Sequence, residues 1–548
     1  MRRLHVLASV LLSIYLPCVS HAQSSLILKN VNIVGLAGEV DHSDRDVLLQ
    51  GNKIVSLRAT SAKTPAEARV VDCSNKWLIP GLIDMRATLQ EGGAERQQEL
   101  QEQLAAGITA MLDLGGSSFN HAADAMTPRI FASTVPFRGN ALAWSSGGVI
   151  LANDKAARQA VQSSKQQGAS LLFLDANLEA SVVKALLKEA SASGVLTSGA
   201  FLATSFEEAS RGGVNMIFGM ASLLSGFVDG GERKNFSAHW SRAEEALFSS
   251  EYLKAWQKIE PQKNARKKLQ QLTNQAVFFV PNLALESKLL AEAAPTADSL
   301  QAQALFGKQQ QLLRLAFELQ VPLLAGSGYH AARYWRPTLH DELEAWVAAG
   351  IEPRFALEAA TVNAGHALRQ TNLGQTGEGM LADLVLLEEH PLKNLSTLRR
   401  PWAVISNGSF IAQEQLVQMR APHRIAQREI RAVLAWQVQA WNDGDLVRFM
   451  RGYWKNDSTV FASGGNVSQG WSEMLARYQR GYSTREKMGQ LEFKIYKVEM
   501  MGDAWAKVLG QWKLVVGTTT PQGLFTLVLR RFEEGWRIVH DHTSSATP

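Results

Sequence analysis

Cysteine is nearly absent from this chain, with two in 548 residues, Cys18 and Cys73. That excludes a disulfide framework, and a chain of this length can draw its stability from core burial instead. Long apolar runs are missing after the opening segment, so no later stretch is expected to span a bilayer. Charge of one sign is in small excess: the formal +5 is interspersed along the chain and offers nucleic acid no basic face. The basic run Arg266-Lys267-Lys268 lies in a stretch of helical composition and reads as a solvated face. Cys73 reads as a packed strand residue rather than a reactive thiol.

The opening does carry a signal. Met1-Arg2-Arg3, an apolar run from Val6 to Val19 and then Ser20-His21-Ala22-Gln23 have the order of a secretory leader, with small residues placed for cleavage after Ala22. Pro17 interrupts the run, which is also shorter than the roughly 20 residues a membrane span needs. Tyr15-Leu16-Pro17 lacks the small residues that lipid attachment at Cys18 requires. The expectation is a leader over 1–22 and a mature chain in the periplasm or outside the cell.

Hydrophobic periodicity divides the rest. Leu26 to Val34, Asp46 to Gln50 and Ile54 to Leu57 read as short strands, the last two joined by a turn at Gly51-Asn52. From about residue 83, strand-like runs alternate with helical ones, among them Ile108 to Leu114, Ser170 to Leu174, Val195 to Ser198, Val214 to Phe218, Val277 to Val280 and Val321 to Ala325. Such alternation predicts parallel β/α units, and about 300 residues of it suit a barrel with insertions. After Pro422 the order changes: helices over Arg424 to Trp454 precede long strands over Leu491 to Met500, Ala504 to Val516, Phe525 to Arg531 and Trp536 to His542. That order predicts a separate α+β domain.

The stretch Pro80-Gly81-Leu82-Ile83-Asp84-Met85-Arg86-Ala87-Thr88 resembles the first barrel strand of the amidohydrolase superfamily, in its imidazolonepropionase and prolidase-like branch. The resemblance runs from about Ser25 to Gln413. It implies a (β/α)8 TIM-type barrel over 83–375, with a small β-sandwich from 23–82 and 376–418, and hydrolysis of a carbon–nitrogen bond through metal-bound water. The residues contradict that chemistry. Where the family carries His-x-His, this chain has Arg86 and Thr88, and a guanidinium has no lone pair to give a metal. The family's later ligand positions fall on Phe173, on Gly199-Ala200-Phe201 without a histidine, on Gly219 and on Gly326-Ser327-Gly328 in place of Gly-Thr-Asp. Too few donors remain for a catalytic zinc, which needs three protein ligands and an open position. His330 and His340 read as structural or ligand-contacting, and His121, His239 and His366 have no spacing that brings two onto one face. No metal and no cofactor is expected.

The last part of the chain, 422–548, has its own resemblance. Trp441-Asn442-Asp443-Gly444-Asp445, Met488 to Phe493 and Gly535 to Ser544 are similar to the SnoaL-like group of cone-shaped domains, in which a curved sheet wraps a helix and leaves a pocket. Trp441, Tyr453, Trp471, Tyr482 and Trp512 are candidates to line it, and Arg530 to hold an acidic group. His540 and His542 are two apart on a strand, so they share a face, opposite Asp541, and are candidate catalytic residues for acid/base work.

Three readings stay open. One is a secreted, metal-free barrel acting as a small-ligand-binding or scaffold protein with its pocket in the C-terminal domain, paired into a homodimer through that domain. Another is an isomerase- or cyclase-type enzyme in the same domain. The third is a divergent hydrolase at the barrel mouth, with Arg86, Ser327, Tyr329 and His330 as the residues to test; these four and Thr88 are also the candidate ligand-binding residues of the barrel.

Overall fold

The structure, a computed structural model, describes residues 25–59, 68–89, 92–116, 124–139, 148–233, 235, 250–293, 299–330, 338–420 and 422–545. The proposed leader, His121, His239 and the side chain of His330 lie outside that description.

The opening strands Ser25–Ile33, His42–Gln50 and Lys53–Ala59 form an antiparallel meander, with Gly51 in the left-handed region at the expected turn. Trp77–Pro80 joins this meander to the closing strands: it runs parallel to Ser25–Ile33 and antiparallel to Leu384–Leu387. The strands assigned from sequence to a sandwich therefore belong to one continuous eight-stranded sheet. Leu28, Val31, Val47, Leu78, Leu384 and Ile405 from both ends of the segment share one core, because Trp77–Pro80 hydrogen-bonds to both. Cys73 is buried in the same core, where burial pushes its thiol up to about 12.

Between these ends lies an α/β domain of parallel sheets. Leu82–Thr88, Ile108–Asp113 and Arg129–Ala132 form one run, and Phe137–Arg138, Leu171–Leu174, Leu196–Gly199, Met216–Phe218 and Phe278–Val280 another. Backbone bonds join the runs at both sides. Thr134 N donates to Leu171 O at 3.0 Å, while residues 321–326 bridge the other side through Leu324 N to Phe279 O, 3.0 Å, and Met85 N to Ala325 O, 3.1 Å. Strands covered on both faces read as near-continuous apolar runs. Ile108–Asp113, buried at every position, is the clearest case. One side-chain set, including Met85, Leu112, Leu171, Leu196, Met216, Val280 and Leu324, packs into a cluster of its own. The opposite set packs under the helices.

The C-terminal unit is a six-stranded mixed sheet against helices Pro422–Asn442, Leu446–Met450 and Trp471–Gly481. Asp445 caps the second of these by accepting from Arg448 N at 2.9 Å, as the Asp-Gly-Asp turn predicts. Strands Gln490–Met500, Trp505–Val515, Gln522–Phe532 and Gly535–Thr543 follow in antiparallel order, and Val460–Ser463 runs parallel to the last. One irregularity shapes the site: Val528 pairs with His540 but Leu529 with Ile538, so Val539 is an extra residue in its strand.

Candidate functional site

Among the described residues, buried polar groups gather around Arg86 in the α/β part and at a cavity in the C-terminal domain. On strand Leu82–Thr88, Asp84 accepts from Ser327 N at 2.9 Å, Ser327 Oγ at 2.5 Å and Arg86 N at 3.0 Å. Burial pushes this carboxyl up to about 6, against the lowering effect of those donors and of the Arg86 charge. Ser327 Oγ also accepts from Tyr329 N at 2.9 Å, and Tyr329 Oη is hydrogen-bonded to Glu99. Ser327 and Tyr329 are thus buried and engaged within the fold, which speaks against either as a nucleophile or acid waiting for substrate. Thr88 is half-buried, and its backbone pairs with His330.

Arg86 reaches toward neighbouring strand ends. Its Nη1 bonds Asn282 Oδ1, its guanidinium carbon stands 5.8 Å from the centre of the Phe218 ring, and Asn282 Nδ2 donates to Gly326 O at 2.6 Å. Behind it Glu342 is buried and accepts from Leu283 N, Ala284 N and Trp346 Nε1 at 2.7 to 2.9 Å. Desolvation holds that carboxyl up at about 7. His340 is also buried, and burial pulls it down to about 4, so it is neutral. The donor set does not fit a metal ion: among the described residues no group of three His, Cys, Asp or Glu side chains could hold one.

The C-terminal domain holds an open cavity of about 430 Å³ between its sheet and helices. Trp441, Tyr453, Tyr482 and Trp512 line it, as the sequence reading proposed for the pocket. The indoles are fixed by backbone acceptors, Trp441 Nε1 to Met488 O at 2.8 Å and Trp512 Nε1 to Ser544 O at 2.9 Å, and Tyr482 stands edge-on to Trp441 with centres 4.6 Å apart. Their remaining surface is apolar and available to a ligand. Two proposed lining residues fall elsewhere. Trp471 is not in the wall, since its Nε1 is turned to Met450 O at 2.8 Å. Arg530 is exposed and covers Trp505 and Phe532, because its strand position points outward.

The polar end of the cavity is Asp541, buried at 3% exposure. Its Oδ2 accepts from Tyr453 Oη at 2.6 Å and its Oδ1 from Thr543 Oγ1 at 2.7 Å. Burial pushes the carboxyl up to about 6 although both donors oppose the shift. Tyr453 and Tyr478 are held protonated well above the usual phenol range, burial first and the Asp541 charge second. Arg477 also lines the cavity, over Phe461 at 4.8 Å and donating to Ser468 Oγ at 3.0 Å.

His540 and His542, the catalytic candidates from sequence, are not in this wall: His540 is half-buried and His542 exposed. The extra residue Val539 is the reason. Trp536 and Ile538 are buried, and simple alternation would carry 540 and 542 inward after them; the bulge inverts the order and turns Asp541 and Thr543 in. Sequence reasoning missed Asp541 and Arg477. The signal for Asp541 was an acid set between two polar residues on a strand that is otherwise apolar inward.

Comparison with known proteins fits this division. Residues 430–548 match the SnoaL-like domain family. The chain is 33% identical over 85 residues to a dihydroorotase of Anaeromyxobacter dehalogenans, 16% of this chain and 18% of that protein. It is 25% identical over 98 residues to a deacetylase of Agrobacterium fabrum, 17% of this chain and 24% of that protein. The matches thus span less than a quarter of those relatives' lengths. Among solved structures, the bottromycin amidohydrolase superposes with a TM-score of 0.56 at 19% identity, covering 74% of this chain and 90% of that one. The A. niger ochratoxinase gives 0.52 at 15% identity, covering 71% and 95%. Likeness at that level concerns fold alone. The larger part of this chain resembles the amidohydrolase and prolidase-like superfamily in fold, carries no metal-binding cluster among its described residues, and is joined to a separate C-terminal SnoaL-like domain.

Proposed function

We propose that this is a small-molecule-binding protein whose ligand site is the cavity of the SnoaL-like domain, with the metal-free α/β part serving as its scaffold. The observation that carries this is the cavity itself: about 430 Å³, walled by aromatic and aliphatic side chains, with one buried carboxyl at its polar end. Few polar groups in an apolar concavity fix a ligand's orientation. The ligand class is a flat body of two or three rings with a hydroxyl or carbonyl directed at Asp541. Titration of the full chain with 2-naphthol and 2-naphthoic acid, followed by tryptophan fluorescence, is expected to saturate. Ser463→Phe, which fills the cavity from its wall, is expected to abolish it. Failure of both probes to bind the folded protein sinks this reading.

One observation favours a catalytic reading of the same site. A carboxyl that burial pushes up to about 6, hydrogen-bonded by Tyr453 at the cavity wall beside Tyr478, is a proton acceptor suited to a carbon acid. The test is deuterium exchange at the carbons beside the carbonyl of 2-tetralone. Faster exchange with protein, lost in Asp541→Asn, is the expected result; the buffer rate alone leaves binding without chemistry.

Three further parts of the reading concern context. The parallel strands, with the bridging segment 321–326, close into a (β/α)8 barrel, a closure supported by the backbone bonds at both joints. Residues 1–22 act as a secretory leader, to be checked by N-terminal sequencing of the mature protein. A second copy pairs on the outer sheet face, where Tyr496, Trp505, Leu509 and Leu524 are exposed among Lys507 and Glu499. Sedimentation is expected to give a dimer that Leu509→Glu dissociates.

A further inference from the structure

We infer that Arg86 is a tethered substitute for the metal of the fold family: from inside the chain, its guanidinium supplies the positive charge and the link between strand ends that an ion supplies there. This rests on the metal-free reading of the barrel and goes further, because it says what took the metal's place.

Reach is the first argument. Arg86 stands near the end of Leu82–Thr88, yet its guanidinium bonds Asn282, just past Phe278–Val280, and lies over Phe218, the last residue of Met216–Phe218. Asn282 passes the link on, donating 2.6 Å to Gly326 O in the segment that bridges back to Met85. Four neighbouring strand ends are thereby tied through one side chain and its amide partner. Asn282 holds a left-handed backbone, φ 55°, which asparagine tolerates better than most residues.

Room is the second argument, and it is independent of the first. Gly219, at the family's sixth-strand histidine position, would place a Cβ 3.5 Å from Arg86 Nη1, so the atoms of an imidazole beyond that Cβ would compete with the guanidinium for space. Gly326 would place a Cβ 2.9 Å from Arg86 Cβ. At Gly328, where the family has its aspartate, a Cβ would meet Leu285 Cδ2 at 2.7 Å. Two of the lost ligand positions are therefore not gaps left by drift: Gly219 keeps open the space beside Arg86, and Gly328 is filled by Leu285, while Gly326 matches a glycine of the family.

Charge is the third. Asp84 is buried two residues from Arg86, with Glu342 also buried nearby, and a guanidinium is permanently cationic and less strongly hydrated than an ammonium. It suits a half-buried post among carboxyl groups better than lysine does.

The test compares thermal unfolding of the full chain with Arg86→Lys and Arg86→Met, each with EDTA and with added zinc chloride. If the cation matters, Lys keeps more stability than Met, with Met lowering the midpoint by about 5 °C or more. Neither EDTA nor zinc moves the wild type. A Met variant as stable as Lys, or more so, reduces Arg86 to packing and overturns the inference while leaving the metal-free reading intact. Stoichiometric zinc in the wild type, or a midpoint raised by zinc, overturns both. Should neither variant fold, Asn282→Ala, which removes the guanidinium's amide partner and leaves Arg86 in place, makes the comparison: a lowered midpoint is expected, and one unchanged from wild type overturns the inference.

Discussion

The strand ends around Arg86 and the C-terminal cavity each hold a buried aspartate pushed up to about 6, and among the described residues it is the second that borders an open cavity. Asp84 spends its oxygens on Ser327 and the Arg86 amide, while Arg86 itself spans the space in front. Asp541 receives two hydroxyl donors and still borders about 430 Å³ of open cavity. Burial raises a carboxyl in either setting, so a perturbed acid identifies desolvation before it identifies function. What separates a site from a structural post is unfilled volume beside the group.

The sharpest way to break that comparison is Asp84→Ala. It strands three donors in a buried place and is expected to cost about 3–5 kcal/mol in urea unfolding, with naphthol binding by the surviving folded protein unchanged. A cost below about 1 kcal/mol would make Asp84 something other than a structural acceptor.

Asp541→Asn comes next, and its effect depends on pH. The folded carboxyl keeps its proton to about 6 whereas the unfolded one loses it near 3.8, so between those values the folded state binds more protons and stability falls as pH rises. Above about 6 the loss is complete. Relative to wild type, Asp541→Asn should therefore gain up to about 3 kcal/mol on going from pH 4 to pH 8, read as the difference between two denaturation curves. A difference that is flat across that range removes Asp541 as the titrating group.

Tyr453→Phe should act more weakly. Losing one hydroxyl donor costs about 1–2 kcal/mol at pH 8 and moves the carboxyl's titration still higher, which a pH series on binding would register. Smallest of all is His542→Ala, on the exposed side of the same strand. It is expected to change stability by less than about 0.5 kcal/mol and binding not at all. An effect as large as that of Tyr453→Phe would restore the histidines to the site.

Much of this protein is determined by its sequence. Period-two and period-3.6 patterns mark most strands within a residue or two, because one-sided burial leaves its period in the residues, but the second strand begins four residues early at His42, the third C-terminal strand three early at Gln522, and 321–325 forms a single bridge at Leu323 instead of a strand. The loss of metal ligands is equally local, since Arg86, Phe173, Gly219 and Gly328 can be judged one by one from what each side chain can donate. Tertiary structure alone decided three things. Trp77–Pro80 merges the opening and closing strands into one sheet, a pairing across roughly 300 residues that no local pattern carries. Arg86 finds Asn282 and the room at Gly219 and Gly326, which is a matter of three-dimensional reach. The single extra residue Val539 selects which face of the last strand looks inward; the strand's period of two is in the sequence, but a bulge inverts it and gives the pocket to Asp541 rather than to the histidines on either side.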